Sequence, residues 1–218
     1  MTERLRTAVL ISGRGSNLRA LIEASARPRT AAEIALVISN RADAAGLAIA
    51  GGAGVPTNVI PHRAFSTQVA FENAIDHALQ DHGIALVCLA GFMRVLSPWF
   101  VERWHDRLLN IHPSLLPAFR GLDTHRRVLA EGVRFTGCTA HLVRAEVDAG
   151  PIIAQAVVPV RQDDTEDSLA ERVLAAEHRC YPMALELIAS GRARVVDERV
   201  VLDGVMAPDD VVINPAPE

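Results

Sequence analysis

The sequence predicts an α/β fold in which helices cover both faces of a doubly wound, mostly parallel sheet. Short continuous apolar runs recur along the first ninety residues, which is typical of strands buried on both faces. A segment with helical apolar spacing follows each of the first three runs. Strand and helix repeat in units of roughly thirty residues, and right-handed crossovers then produce a doubly wound sheet.

The first half of the chain alternates predicted strands with predicted helices. The strands are Thr7–Ser12, Glu33–Ser39, Pro56–Ile60 and Ile84–Ala90, and the helices are Leu18–Ala26, Ala44–Gly52 and Val69–His82. Ligands of such sheets bind where the carboxyl ends of the parallel strands meet. The segments expected at that edge are Ser12–Asn17, Ser39–Arg41 and Gly91–Arg94.

The second half departs from this repeat. Its predicted strands are Arg107–Ile111, Thr136–Val143 and Ile152–Val160, its predicted helices are Thr124–Ala130 and Ser168–Ala189, and a hairpin closes the fold at Arg194–Leu202. Pro182 predicts a bend in the long helix, because proline removes a helical hydrogen bond. We expect residues 1–204 to form a single domain and residues 205–218 a mobile tail rich in proline and acidic residues.

Composition narrows the classes of function. Half of the 218 residues are hydrophobic and 22% are charged, which excludes global disorder. A formal net charge of −4 argues against a strongly basic nucleic-acid binder. The three cysteines are too few and too widely spaced for a disulfide scaffold or a cysteine zinc site, and no apolar stretch approaches a membrane span. The expected protein is a cytoplasmic enzyme or binding protein that needs no metal, nucleic acid or membrane.

A glycine loop follows the first predicted strand. Gly13 and Gly15 precede Ser16 and Asn17, which lead into the first helix. Glycines let the backbone approach a phosphate, and the start of a helix offers free N–H groups and a positive dipole end. Leu18 occupies the third glycine position of a dinucleotide fingerprint, so a single phosphate fits better than NAD. The competing interpretation is a tight turn with Ser16 or Asn17 as the helix N-cap.

Three polar side chains in the second half suit acyl transfer. Asn110 and His112 flank one apolar residue in a short strand, so they face the same way; Pro113 follows, and Asp148 lies in a turn. An amide and an imidazole can stabilise an oxyanion, and a carboxylate can orient the histidine or carry a proton through water. Simple loop-stabilising roles remain open. A metal site that adds His141 is a weaker alternative, because the ligand spacing is loose.

Six sequence stretches carry a resemblance to a known family. They are ISGRGSNL (11–18), SNRADAAGL (39–47), LAGFMRVLSP (89–98), LLNIHPSLLPAFRG (108–121), DAGPII (148–153) and EHRCYP (177–182). In order and spacing the chain closely resembles the folate-dependent glycinamide ribonucleotide formyltransferases. The resemblance implies a Rossmann-like formyltransferase fold. It also implies transfer of a formyl group from 10-formyltetrahydrofolate to the amine of glycinamide ribonucleotide in purine biosynthesis, by a monomer or homodimer.

The resemblance also implies a role for each site residue. Asn110, His112 and Asp148 become the catalytic set. The implied ribonucleotide-binding residues are Gly13, Gly15, Ser16, Asn17, Pro113 and Glu177, with the glycine loop on the phosphate and Glu177 on the ribose. The implied folate-binding residues are Met93, Arg94, Val95, Leu96, Arg144, Ala145, Glu146 and Val147. Gln68 stands where the family often has an arginine that contacts the folate, and is a weaker folate-binding candidate.

Three alternative functions stay open. A formyltetrahydrofolate hydrolase would use water as acceptor but usually carries an N-terminal regulatory domain, for which the chain before Thr7 leaves no room. A methionyl-tRNA formyltransferase would add a C-terminal tRNA-binding domain, and the tail after Gly204 is expected to be too short to form one. A non-catalytic folate- or nucleotide-binding module would have no need of the three catalytic side chains together.

Overall fold

The computed structural model describes residues 3–214, and a mixed sheet forms its centre. The strands of this sheet are β1 (Leu5–Ile11), β2 (Ala32–Ser39), β3 (Thr57–Val59), β4 (Leu86–Leu89), β5 (Leu108–His112), β6 (Phe135–Leu142) and β7 (Ile152–Pro159). They lie in the order β3-β2-β1-β4-β5-β6-β7 within this part of the chain. The first five strands pair in parallel, whereas β6 and β7 are antiparallel to their neighbours.

Helices cover both faces of the sheet, as the sequence predicts. They are α1 (Ser16–Ser25), α2 (Gly46–Gly52), α3 (Gln68–Asp81), α4 (Pro98–Arg103), α5 (Thr124–Glu131) and α6 (Glu166–Ala189), and the strands β8 (Ala193–Val196) and β9 (Arg199–Leu202) form a hairpin after them. One apolar core packs α1 and α6 against the sheet, and a second core packs α3 and α4 against the other face. The doubly wound α/β fold is therefore confirmed.

The long helix α6 is tied to the site edge of the sheet. The hydroxyl of Tyr181, fully buried, lies 3.0 Å from the carbonyl oxygen of Leu89 and 2.9 Å from that of Leu109. These carbonyls belong to β4 and β5, so α6 lies at a fixed height against the two strands. The helix is continuous through Pro182. It begins two residues earlier than predicted, because Thr165 and Ser168 form a capping box.

Most element bounds differ from the predicted ones by two residues or fewer. The sequence reading missed α4, which has only six residues and starts with a proline after the capping Ser97. At the other end of the chain, the Nδ2 of Asn214 donates to the carbonyl oxygens of Arg134 and Val160, at 2.6 and 3.1 Å. Residues 215–218 of the predicted tail lie outside the described residues, and the mobility of the tail stays a prediction. No helix in the described part of the chain combines the length and the apolarity that crossing a membrane requires.

Candidate active site

The carboxyl ends of β1, β2 and β4 meet at one edge of the sheet through direct hydrogen bonds. The hydroxyl of Ser12, just after β1, donates to Oδ1 of Asn40, just after β2, at 2.6 Å. The same hydroxyl oxygen accepts a hydrogen bond from the backbone N–H of Met93, which follows β4, at 2.8 Å. The three segments that the sequence predicts at the ligand-binding edge are therefore in contact.

The glycine loop adopts a conformation that requires glycine. Gly15 has a φ of +77° and stands at the N-cap of α1, where no side chain caps the helix. A Cβ on Gly15 would lie 2.6 Å from the Cα of Gly46, at the start of α2. The interpretation of Ser16 or Asn17 as N-cap is wrong, because both already lie within the helix. The backbone N–H groups at this helix start suit an anion, such as a phosphate.

Glu177 reaches the glycine loop from α6. Its Oε2 accepts a hydrogen bond from Nδ2 of Asn17 at 2.7 Å. Burial raises the pKa of Glu177, and the bond from Asn17 acts in the opposite direction. The Oδ1 of Asn17 is buried without a partner among the described residues. Buried acceptors beside a helix start can accept hydrogen bonds from the hydroxyls of a sugar phosphate, whose phosphate lies on the free N–H groups of the helix.

His112 and Asp148 form a buried ionic contact in the site. Nδ1 of His112 lies 3.2 Å from Oδ2 of Asp148, and both side chains are less than a tenth exposed. The backbone N–H of Gly121 donates to the same Oδ2 at 2.9 Å. The carboxylate is thus held from two sides, and it faces the imidazole directly.

The second nitrogen of His112 is also engaged. Nε2 lies 2.9 Å from the carbonyl oxygen of Phe119, in the loop that follows β5. A carbonyl and an ionised carboxylate can only accept hydrogen bonds. The geometry therefore fits an imidazolium ring that donates from both nitrogens and carries a positive charge beside Asp148. Such a ring can offer an N–H to a developing oxyanion.

Asn110 is oriented by a second histidine, His141, which lies opposite it on β6. Nδ1 of His141 lies 3.0 Å from the carbonyl oxygen of Leu142, so this nitrogen carries a hydrogen. Burial lowers the pKa of His141, although the carbonyl of Leu142 and the charge of Asp148 act in the opposite direction. The neutral ring accepts at Nε2 from Nδ2 of Asn110 at 3.2 Å. The second hydrogen on Nδ2 is then available to a ligand.

His141 has a role that the sequence does not predict, since the only role expected for it is that of a metal ligand. Nε2 of His141 lies 3.7 Å from Oδ1 of Asp148, so the ring lies beside both Asn110 and Asp148. Within residues 3–214 no group of three or more histidine, cysteine or acidic side chains is arranged to hold a metal ion. The hydrogen bonds of His141 account for its place without a metal. Its position opposite Asn110 follows from strand register, which the sequence alone does not supply.

The turn that carries Asp148 depends on a close backbone approach. Asp148 has a φ of +53°, in the left-handed region. Two residues later, a Cβ on Gly150 would lie 1.8 Å from the carbonyl oxygen of Leu142, at the end of β6. Only glycine lets the chain return this tightly to β7. The turn therefore fixes the Asp148 carboxylate under His112.

The implied folate loop, residues 93–96, is hydrogen-bonded to the rest of the protein and also carries exposed apolar side chains. Met93 and Val95 are strongly exposed, whereas Leu96 is buried. The side-chain amide of Gln68 donates to the carbonyl oxygen of Val95 and to Glu72, both at 2.9 Å. Gln68 therefore supports this loop. The exposed apolar side chains are free to pack on a planar ligand.

The second implied folate segment, residues 144–147, uses its charged side chains within the protein. The guanidinium of Arg144 pairs with Asp106 and Glu198, each at 2.7 Å. Glu146 pairs with Arg120 of the loop after β5, at 2.5 Å. The Arg144 side chain is thus committed to ion pairs, and the backbone of the segment and Val147, half exposed, remain for a ligand.

Comparison with known proteins decides the family. Residues 5–185 match the sequence profile of the formyl transferase family. Over 204 residues the chain is 43% identical to the phosphoribosylglycinamide formyltransferase of Escherichia coli (strain K12), covering 94% of this chain and 96% of that protein. The chain belongs to the formyltransferase family. The resemblance deduced from the six sequence stretches is confirmed.

Other relatives of this formyltransferase chain are longer. It is 52% identical over 193 residues to the human trifunctional purine biosynthetic protein adenosine-3, a match that covers 88% of this chain. The chain spans only 19% of the length of that relative.

Solved structures confirm the formyltransferase fold. Glycinamide ribonucleotide transformylase 1 from Symbiobacterium toebii superposes with a TM-score of 0.89 at 46% identity, covering 93% of this chain and 95% of that chain. A formyltetrahydrofolate deformylase from Pseudomonas syringae pv. tomato superposes with a TM-score of 0.85 at 25% identity, covering 92% of this chain and 66% of that one. The same fold therefore occurs in a protein named as a transformylase and in one named as a deformylase.

Proposed function

We propose that this chain transfers the formyl group of 10-formyltetrahydrofolate to the amine of glycinamide ribonucleotide, giving formylglycinamide ribonucleotide and tetrahydrofolate. The observation that carries the proposal is the contact of Asn110, His112 and Asp148 with their orienting groups at one strand end. The relatives named as a phosphoribosylglycinamide formyltransferase and a glycinamide ribonucleotide transformylase support the choice of substrates. We further propose that the enzyme acts in the cytoplasm as a monomer or homodimer.

The proposed reaction is an acyl transfer. The amine of the ribonucleotide attacks the formyl carbon, and the carbonyl electron pair moves to oxygen to form a tetrahedral oxyanion. The free hydrogen on Nδ2 of Asn110 and an N–H of His112 stabilise that oxyanion. The intermediate then collapses, the bond from the formyl carbon to N10 of the folate breaks, and N10 takes up the proton that the amine releases.

Asp148 has two tasks in this proposal. It orients the imidazole of His112, because its carboxylate lies 3.2 Å from Nδ1. It also lies near the reacting nitrogens, where it can pass the proton from the amine towards N10 through a water molecule. The bond from Nε2 of His112 to the Phe119 carbonyl must be shared or given up when the formyl oxygen arrives. The loop after β5 therefore takes part in forming the oxyanion site.

We propose that both substrates bind at the carboxyl edge of the sheet. The phosphate of the ribonucleotide lies on the start of α1 at Gly13, Gly15, Ser16 and Asn17, and Glu177 accepts from the ribose hydroxyls. Pro113 borders the amine at the end of β5. The folate lies on the 93–96 and 144–147 segments, with its formyl group towards His112. In this arrangement the amine and the formyl carbon meet beside Asn110.

The identity of the formyl acceptor distinguishes the proposed transferase from the alternative, a hydrolase. The purified chain is mixed with 10-formyltetrahydrofolate, and tetrahydrofolate is followed by absorbance with and without glycinamide ribonucleotide. Our proposal requires that the donor is consumed only when the ribonucleotide is present. Equal consumption without the ribonucleotide would make the chain a hydrolase, like the deformylase whose fold it shares. No consumption in either case would favour a binding module.

A further inference from the structure

Ser12 forms a junction between the glycine loop and the folate loop. It stands between β1 and Gly13, and is almost fully buried. Its hydroxyl accepts from the backbone N–H of Met93 at 2.8 Å, and its own N–H donates to the carbonyl oxygen of Gly91 at 3.2 Å. One residue is thus bonded twice to the segment that leads into the 93–96 loop.

The direction of the hydrogen bonds at Ser12 is fixed by its partners. A serine hydroxyl carries a single hydrogen, and Oδ1 of Asn40, at 2.6 Å, can only accept it. The serine oxygen is therefore the acceptor for the Met93 N–H. The chain extends further, because Nδ2 of Asn40 lies 3.3 Å from Nδ1 of His62. Aligned hydrogen bonds of this kind strengthen one another in a buried setting.

Each loop at this junction also has its own support. On the glycine-loop side, the carbonyl oxygen of Gly13 accepts from the N–H of Gly46 at 3.0 Å, and Gly15 packs closely on Gly46. On the folate side, the amide of Gln68 holds the Val95 carbonyl. Ser12 joins two supported loops, so a displacement of either loop is passed to the other through short bonds.

We infer that Ser12 is a positioning residue that couples binding of the ribonucleotide to binding of the folate. The inference rests on the proposed function, which places one substrate on each loop. A ligand that orders one loop fixes Ser12 and thereby reduces the ordering that the other ligand must impose. Such coupling is reciprocal: each ligand changes the affinity of the other by the same factor. Ser12 itself has no part in the chemical step.

The test uses glycinamide ribonucleotide and tetrahydrofolate, a pair that lacks the formyl group and does not react. Calorimetry measures the dissociation constant of each ligand alone and with the other at saturation. For the wild-type chain we expect each ligand to tighten the other by about 5-fold or more, the lower end of typical coupling. In Ser12→Ala the two affinities should become independent, with a coupling factor near 1.

A matched control separates coupling from a general loss of packing. Ser39 is a fully buried serine at the end of β2, and among residues 3–214 its hydroxyl bonds only to the backbone of Arg41 in its own turn. Ser39→Ala makes the same truncation and should keep the wild-type coupling. Ser12→Thr keeps a hydroxyl and should restore the coupling. If Ser12→Ala does not fold, Asn40→Ala removes the acceptor and should lower the coupling factor instead.

Three results would overturn the inference: no coupling in the wild-type chain, full coupling in Ser12→Ala, or equal loss of coupling in Ser39→Ala. Formyl transfer by the wild-type chain is measured in the same preparation. A wild-type chain that transfers the formyl group but shows no coupling contradicts the inference alone. A chain that consumes no donor contradicts the proposed function, whatever the binding data show.

Discussion

Replacing Asn110 by alanine tests the proposed oxyanion site at a single donor. The side chain offers one hydrogen on Nδ2 to Nε2 of His141 and leaves one for the formyl oxygen. Loss of one preorganised oxyanion donor typically costs about 2.7–4 kcal/mol, which corresponds to roughly a 100- to 1000-fold fall in kcat. We expect that fall in Asn110→Ala, with the KM of both substrates changed little, because the donor acts mainly on the transition state.

The folding cost of the same change is smaller. Asn110→Ala removes one hydrogen bond and leaves Nε2 of His141 unpaired, at about 1–3 kcal/mol. A domain stable by about 5–15 kcal/mol stays folded after such a loss. Asn58, a half-buried asparagine on β3 at the far side of the sheet, provides the matched control. Asn58→Ala should keep the wild-type kcat.

Steady-state kinetics with both substrates varied, together with thermal unfolding of each variant, provide the measurement. A fall in kcat of less than tenfold in a folded Asn110→Ala protein would remove Asn110 from the oxyanion site. An equal fall in Asn58→Ala would show that the assay reports folding and not chemistry.

Four further changes test the remaining parts of the site. Asp148→Asn keeps an acceptor but removes the charge beside His112, and should lower kcat by about 100-fold or more in the steady-state assay. Gly15→Ala forces a Cβ to 2.6 Å from Gly46 at positive φ, and should raise the dissociation constant of the ribonucleotide in calorimetry while sparing that of the folate. Gly150→Ala places a Cβ against the carbonyl of Leu142, and should lower both the melting temperature and kcat. Burial raises the pKa of Glu177, so the folded chain binds this proton more tightly than the unfolded chain. Its contribution to stability is therefore present at low pH and lost as the pH rises from 4.5 through the folded-state pKa. Denaturant unfolding should show Glu177→Gln gaining stability relative to the wild type over that rise. A constant difference between the two proteins would contradict this assignment for Glu177. Full activity in Asp148→Asn, unchanged ribonucleotide binding in Gly15→Ala, or wild-type stability in Gly150→Ala would contradict the prediction made for that variant.

The fold could be predicted because buried strands and helices have local patterns of apolar residues in the sequence. The runs of β1 and β2 are apolar on both faces, as a strand covered from two sides requires. Gly15 marks the turn into α1, because a positive φ favours glycine at any position of a chain. The short α4 was missed because six residues carry too little periodicity to register as a helix.

The sequence predicts which residues lie at the candidate site better than it predicts the contacts between them. Alternation along β5 places Asn110 and His112 on one side, and this is a local rule. The partnership of Asn110 with His141, by contrast, depends on the antiparallel register of β5 and β6. The bond from His112 to the Phe119 carbonyl depends on the path of an irregular loop. Neither register nor loop path has a local sequence signature of sufficient strength.

The ion pairs of the Arg144 side chain bear on the folate contact that the resemblance implies for this residue. The resemblance implies that residues 144–147 contact the folate, and that role stays a prediction. The structure engages the Arg144 guanidinium with Asp106 and with Glu198 at the turn of the β8–β9 hairpin. Both partners are distant in sequence, so the pairing is visible only in the folded chain.

The most direct test of the proposed formyl transfer follows the formyl carbon itself. The purified chain is given 10-formyltetrahydrofolate labelled with ¹³C in the formyl group, together with glycinamide ribonucleotide, and the product is read by ¹³C NMR. The proposed formyl transfer predicts that the label appears as a formamide carbon on the ribonucleotide, in step with the formation of tetrahydrofolate. Label that appears as free formate, with the ribonucleotide unchanged, would contradict it.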